Sequence, residues 1–348
     1  MMHLWVRAEE RANERRVGIT PQGVARLLAE GMEVTVEESP TRVLPIDAYR
    51  RAGAQIASSG AWRNAPDDAV IFGLKELPAD TGPLRHRHIL FGHAFKGQPD
   101  GQDLLARFKA GGGALYDLEY LVDETQRRVA AFGYWAGFVG AALSTAAWAA
   151  QHRGASMAAV TTWPDQAALV ADIKAQLGEA GAPPPTALII GALGRTGTGA
   201  AAFLREIGVT AIPWDMAETA HGGPFPEVLS HNIFLNCILA MEGVPVFVPA
   251  DAAEHPRALR VIGDIACDPD SDFSPVKVYD RVTTWAEPTL RVAENPPLDV
   301  MAIDNLPSLL PLESSEDFAA QLLPHLLTLP QIDTGIWARA HETFRQAL

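Results

Sequence analysis

At 348 residues the chain exceeds the size at which one hydrophobic core keeps growing, so two domains are expected, and its 48% hydrophobic and 20% charged residues are those of an ordinary globular protein. A net charge of -14 excludes a broad basic surface for nucleic acid or an anionic membrane, which leaves any anionic ligand to local arginines. The two cysteines, Cys237 and Cys267, make neither a CxxC pair nor a disulfide framework and are expected as buried apolar fillers in a reducing, cytoplasmic setting.

The opening Met1-Met-His-Leu-Trp-Val-Arg7 has no signal-peptide pattern and reads as a first strand. Thr20-Pro21 then caps an amphipathic helix through Val24, Leu27 and Leu28 that stops near Gly31, and Glu33-Val-Thr-Val-Glu37 alternates like a strand. A short helix over 46–52 precedes a turn at Gly53. Apolar strands are predicted at 69–74, 88–92 and 114–118, the last two separated by an amphipathic helix over 102–110, which is a doubly wound α/β pattern.

Residues 130–150 hold no charged side chain and match the ~20 residues of a membrane span. Gly133, Gly137, Gly140 and many alanines make the segment weakly hydrophobic, so a loop at Phe132-Gly-Tyr134 and a closely packed helix from Ala136 are expected instead. A helix over 166–177 stops before Gly181-Ala-Pro-Pro-Pro185. A second α/β series follows, with strands at 186–190, 211–215, 233–237 and 259–264, and helices over 314–327 and 337–348 close the chain.

Gly191-Ala-Leu-Gly-Arg-Thr-Gly-Thr-Gly199 follows the strand at 186–190 and leads into the helix-forming run Ala200-Ala-Ala-Phe-Leu-Arg205. Strand, glycine turn and helix are the context of a dinucleotide cradle, in which backbone approaches the pyrophosphate closely and amides at a helix start face negative charge. The spacing here is G-x-x-G-x-x-G. Gly191, Gly194, Arg195, Thr196 and Gly197 are the candidate cofactor contacts. Asp215 lies at roughly the ~20-residue interval of the ribose-binding acid. A carboxylate there accepts from ribose hydroxyls and repels a 2′-phosphate, which favours NAD over NADP.

Ligands of open α/β sheets bind beyond the carboxyl ends of strands, and three successive strands end in Lys75, His93 and Glu119. A lysine partly desolvated in a cleft can serve as a base near neutral pH, and histidine needs little tuning, so two proton carriers face one pocket. His86, His88 and His93 also invite a zinc reading, but no cysteine or nearby carboxylate set completes a site, and no metal is expected. Arg16, before the first helix, and Arg128, in Arg127-Arg-Val-Ala-Ala-Phe-Gly133, are placed to fork onto substrate carboxylates.

These residues bring a family into view. Arg7-Ala-Glu9, Glu14-x-Arg16 with Thr20-Pro21, Gly73-Leu-Lys-Glu76, Tyr116-Asp-Leu-Glu119, Arg127 to Gly133, Gly191 to Arg195, Gly222-Gly-Pro-Phe225 and Ile303-Asp304 with Leu306-Pro-Ser-Leu-Leu-Pro311 run nearly end to end. In them the chain resembles saccharopine dehydrogenase of the NAD-dependent, L-lysine-forming type, within the alanine dehydrogenase and transhydrogenase superfamily. The resemblance implies two Rossmann-like, doubly wound domains with an interdomain cleft. Residues 1–131 plus 313–348 would form the substrate and catalytic domain, and 132–312 the NAD-binding domain. It also implies the reaction, oxidation of saccharopine by NAD and hydrolysis of the imine to L-lysine and 2-oxoglutarate.

By the same resemblance Lys75 and His93 match the acid–base pair, Glu119 a carboxylate that tunes it, Arg16 and Arg128 carboxylate-binding arginines, Lys96 a further cleft residue, and Asp304 a motif on the cofactor side. The chain departs from the family pattern at Thr196, where a cysteine is usual, at Asn305, at Leu312 and at Arg11. A related opine-type dehydrogenase using another amine, or an NAD-binding metabolite sensor without turnover, are the alternatives; the presence of both Lys75 and His93 argues against the sensor. No obligate protein partner is predicted.

Overall fold

Strands and helices alternate along the chain and close into two separate sheets, so that Met1–Ala131 with Leu312–Leu348 forms one unit and Phe132–Pro311 another. The structure, a computed structural model, describes residues 1–78, 80, 82–95 and 99–348, with Pro99 as backbone only.

The first unit runs β1 (His3–Val6), α1 (Pro21–Ala29), β2 (Glu33–Glu37), α2 (Ile46–Arg51), β3 (Gln55–Ala57), β4 (Val70–Phe72), β5 (Arg87–Leu90), α3 (Pro99–Gly111) and β6 (Ala114–Asp117). Thr20 caps α1, its hydroxyl accepting from Gly23 N at 3.2 Å, with Pro21 at the first helical position. The strands pair in parallel in the order β3-β2-β1-β4-β5-β6. That order reverses between β1 and β4, so the crevice beyond their carboxyl ends is a topological switch point. The strand β3 has no counterpart in the sequence expectation, because a three-residue strand carries no readable periodicity.

The second unit runs α4 (Gly133–His152), α5 (Gln166–Glu179), β7 (Thr186–Ile190), α6 (Arg195–Glu206), β8 (Thr210–Trp214), α7 (Met216–Thr219), β9 (Ile233–Asn236), β10 (Val261–Asp264), β11 (Leu290–Glu294) and β12 (Pro297–Met301). Its sheet order is β11-β12-β10-β9-β7-β8, reversing between β7 and β9. All neighbours are parallel except β11, which turns back antiparallel onto β12. This hairpin is also absent from the sequence expectation: Leu290-Arg-Val-Ala-Glu294 is a half-buried edge strand with little apolar signal.

Two helix starts differ from expectation. The helix α4 begins at Gly133, not Ala136, and α6 begins at Arg195, inside the glycine loop, not at Ala200. Glycine disfavours an isolated helix by about 1 kcal/mol per residue, so local propensity argues for later starts. Packing overrides it. A Cβ on Gly137 would sit 2.7 Å from the Thr196 carbonyl carbon, and one on Gly199 2.8 Å from that of Tyr134, so α4 and α6 meet backbone to backbone. Residues 137–150 of α4 are all buried, which accounts for a helix apolar on every side. Among the described residues no helix is long and apolar enough to cross a membrane.

The chain ends in α8 (Pro311–Leu326) and α9 (Gly335–Ala347), which pack on the first unit. Ser315 Oγ accepts from Val17 N at 2.9 Å, Gln321 Oε1 accepts from Ala131 N at 3.2 Å, and Arg339 Nη2 donates to Val122 O at 3.0 Å. Trp337 and Phe344 set their rings edge-on to Tyr116 and Phe108.

The α4–α6 approach is testable. Gly199→Val forces a branched side chain into the Tyr134 peptide and is expected to destabilise the second unit by about 3 kcal/mol, read as a lower thermal midpoint by circular dichroism. An unchanged midpoint would show that these helices do not pack at this distance.

Candidate active site

Because β4, β5 and β6 are adjacent and parallel, Lys75, His93 and Glu119 leave the same edge of the first sheet. His93 Nδ1 lies 3.8 Å from Glu119 Oε2, an ion pair when the imidazole is protonated. The His93 side chain is 59% exposed and that of Glu119 24%, so the histidine reaches solvent while its partner is sheltered. His93 also has a φ of +48°, a left-handed conformation uncommon for a residue with a side chain.

Buried Asp117 at the end of β6 holds that conformation in place. Its Oδ2 accepts from Gly92 N at 3.1 Å and its Oδ1 from Glu119 N at 2.8 Å, one bond on either side of the His93–Glu119 pair. Burial pushes the Asp117 carboxyl up to about 6; the amides of Glu119 and Gly92 pull it back, and the Glu119 charge adds to the rise.

Arg16 is buried beside Glu14, and its Nε and Nη2 donate to Glu14 Oε1 and Oε2 at 2.9 and 2.7 Å. The fork expected to face a substrate carboxylate thus meets a carboxylate of the chain. Burial opposes ionisation of Glu14, but the charge and hydrogen bonds of Arg16, with the charge of Lys75, hold its carboxyl below the ordinary value. Glu76 behaves alike: burial raises it, while hydrogen bonding from Arg11 and the charges of Arg11 and Lys75 bring it lower. Lys75 therefore acts electrostatically on two carboxylates, Glu14 and Glu76.

Arg128 is half-buried, held by a bridge to Val122 across a turn in which Asp123 Oδ1 accepts from Thr125 N and Arg127 N. Lys96 lies outside the described residues. His86 and His88 sit at the opposite end of β5 from His93. His88 is wedged between Trp62 and Phe108, and burial drives its imidazole well below the usual range. Among the described residues no three His, Cys, Asp or Glu side chains group as a metal site.

In the second unit the glycine loop leaves β7 at its switch point. Gly191 has a φ of +87°, and a Cβ on it would meet Ile238 Cδ1 at 2.7 Å and Cys237 O at 3.1 Å, so only glycine fits both the turn and the neighbouring strand exit. The amides of Gly191 and Ala192 both donate to Trp214 O at 3.0 Å. Gly194 is the N-cap of α6, and the first helical bond runs from Thr198 N to Gly194 O at 2.9 Å. Gly194 and Arg195 are exposed and Thr196 half-buried, whereas Gly197 is buried, with a Cβ there falling 2.8 Å from the Ala192 carbonyl carbon; its place is one of packing.

Asp215 holds the loop from the next strand, its Oδ2 accepting from Leu193 N and Oδ1 from Met216 N, both at 2.9 Å. Asp304 is exposed beyond β12, at the same sheet edge but separated from the glycine loop by β10 and β9.

Residues 5–139 match the N-terminal domain of the alanine dehydrogenase/PNT family. Over 99% of its length the chain is 44% identical to saccharopine dehydrogenase (NAD(+), L-lysine-forming) of Candida glabrata, spanning 96% of that protein. A protein of the same description from Schizosaccharomyces pombe is 42% identical, with 99% of both chains covered. The chain belongs to the NAD-dependent, L-lysine-forming saccharopine dehydrogenase family. An L-alanine dehydrogenase structure shares the fold with a TM-score of 0.69 at 17% identity, covering 100% of this chain and 94% of its own.

Within this family the chain carries Thr196 in the glycine loop, so Cys237, whose backbone abuts Gly191, has no loop cysteine to pair with. Both Cys237 and Cys267 are free thiols. Burial, with the Asp264 charge, pushes Cys237 up and Cys267 up to about 12, which keeps both protonated and unreactive. Next to them lies a buried group that sequence reasoning missed. Asn236 Nδ2 donates to Asp264 Oδ1 at 2.8 Å, and the Tyr279 hydroxyl donates to Asp264 Oδ2 at 2.8 Å. The sequence signal is a polar residue closing each of two apolar strands.

The Asp117 assignment carries a pH dependence of known sign. A carboxyl raised in the folded state favours folding most when protonated, and this contribution is lost as pH rises through about 6. Between pH 4 and 7 the stability of the wild type is therefore expected to fall relative to Asp117→Asn, with the Asp117 carbon resonance titrating near pH 6; a midpoint near 4 would overturn the assignment.

Proposed function

We propose that the chain catalyses the reversible, NAD-dependent oxidative cleavage of saccharopine to L-lysine and 2-oxoglutarate, with Lys75 and His93 as its acid–base pair. The observation that carries this is near full-length identity of 44% to a protein of that activity, on a chain that brings Lys75, His93 and Glu119 to one sheet edge.

The second unit fits NAD. Its glycine turn has no room for a Cβ at Gly191, exposed Gly194 and Arg195 open α6, and Asp215 shapes the loop from the ribose side. Gly191, Gly194, Arg195 and Thr196 line this cradle, Gly197 supports it from beneath, and Asp304 belongs to the same edge. NAD held by these residues would supply the hydride acceptor for the glutaryl carbon that bears the secondary amine.

Lys75 takes the proton lost from that amine, and His93, the solvent-reaching member of the pair, removes a proton from the water that attacks the imine carbon. Glu119 stabilises the imidazolium formed in that step. Lys75 then returns its proton to the amine nitrogen as the carbon–nitrogen bond breaks, and the carbinol hydroxyl gives its proton to His93 once the imidazole has released the first to solvent, leaving L-lysine and 2-oxoglutarate. Arg128 and Lys96 bind the substrate carboxylates, whereas Arg16, whose fork is taken by Glu14, supports the site from within. The two free thiols suit a reducing, cytoplasmic setting, and no protein partner enters the scheme.

Purified protein is expected to oxidise NADH when both 2-oxoglutarate and L-lysine are present, and to turn over poorly with ornithine or with NADPH. Turnover with a different amine would reassign it to a related opine-type dehydrogenase, and no turnover with any pair would leave a binding role. Lys75→Ala should lower kcat by about 100-fold or more, the scale of lost general acid–base catalysis. Replacing Asp215 by Ser should weaken NADH binding and narrow the preference over NADPH; an unchanged preference would remove Asp215 from cofactor selection.

A further inference from the structure

β1 leads straight into Arg7-Ala-Glu9, and both charged side chains turn onto the segment that carries Lys75 across the switch point of the first sheet. Arg7 N donates to Phe72 O at 2.9 Å and so extends the β1–β4 ladder. The Arg7 guanidinium, on a residue 1% exposed, donates through Nη2 to the carbonyls of Lys75 and Glu76, the latter at 3.2 Å. Glu9 grips the same segment by its donors: Oε1 accepts from Leu74 N at 2.6 Å and Oε2 from Lys75 N at 3.0 Å. Arg7 Nη2 and Glu9 Oε2 are 3.5 Å apart, so each also compensates the other's charge.

Leu74 O is held as well, accepting from Phe91 N at 3.0 Å. From Leu74 N to Glu76 O the backbone is therefore restrained on both sides. Gly73 makes this possible, since a Cβ there would stand 2.7 Å from Arg7 Cζ and Nη2. Burying a guanidinium beside a carboxylate costs desolvation that an apolar pair of similar volume would avoid, so stability alone does not account for the arrangement. What it does supply is a fixed direction for the peptide from which the Lys75 side chain springs.

We propose that Arg7 and Glu9 are positioning residues that clamp the Leu74–Glu76 backbone and thereby aim the Lys75 ammonium. The proposal rests on the acid–base reading of Lys75. That ammonium acts on both Glu14 and Glu76, so a shift of its peptide changes the charge environment in which it gains and loses a proton.

Two variants disturb the clamp by different routes. Glu9→Gln keeps the side-chain shape but turns an amide NH2 toward one of the two backbone donors, and Gly73→Ala pushes a methyl group into the guanidinium without removing a charge. Each is compared with wild type and with Lys75→Ala for thermal midpoint, kcat, KM for NADH and the pH profile of kcat/KM. Both are expected to fold, to lose about 10- to 100-fold in kcat with KM for NADH within about twofold, and to move the inflection that Lys75→Ala abolishes. If Gly73→Ala does not fold, Glu9→Gln alone decides.

Loss of activity with an unmoved pH profile, or wild-type kcat in folded Glu9→Gln while Lys75→Ala is inactive, would overturn the clamp and leave the acid–base reading standing. Wild-type turnover in Lys75→Ala would overturn that reading first.

Discussion

A parallel sheet ends in backbone amides that the next strand no longer satisfies, and in this protein buried or half-buried carboxylates take them up. A buried donor left without a partner costs about 1–3 kcal/mol, and a bond from an amide to a charged acceptor returns about as much. Glu37 at the end of β2 accepts from Ala8 N, Gly60 N and Trp62 N and from the Trp5 indole, all at 3.0 Å or less. Glu9 does the same for the exit of β4 and Asp117 for the exits of β5 and β6. The edge of the first unit is thus built from anionic acceptors that also fix the backbone around Lys75, His93 and Glu119.

That solution has an electrostatic consequence. Acceptors gathered at one edge favour cations there, and the cations supplied are Arg7, Arg11, Arg16 and Lys75. Glu14 and Glu76 remain low despite burial because arginine and lysine charges outweigh desolvation, whereas Asp117, bound mainly by neutral amides, rises. The same functional group, a carboxyl, is thereby placed on either side of its ordinary range by the kind of donor it meets.

The second unit meets the same demand with fewer full charges. Asp215 ties the glycine loop from β8, and Asp264, raised by burial, is satisfied by Asn236 and Tyr279. Acceptors there engage side chains and loop amides. The close α4–α6 contact supports the start of α6 from below, because Gly199 sits one turn into the helix that Gly194 opens.

Much of this was legible in the residues. The strand at Glu33–Glu37, the Thr20 cap, the strand at Thr186–Ile190 and the glycine turn after it follow from short-range periodicity and from conformations that few residues adopt, and such preferences act within a few positions. The order of strands, the early starts of α4 and α6, the β11–β12 edge and the gripping of Lys75 by Arg7 and Glu9 depend on partners distant in sequence. Arg7 and Glu9 could be read as a motif, but their task could not, since it exists only where β1 lies beside β4. The sequence by itself determined which side chains stand at strand ends, because an apolar run and the polar residue that closes it are local; the tertiary structure alone decided which carboxylate meets which amide, because satisfying a buried donor is a matter of distance in space.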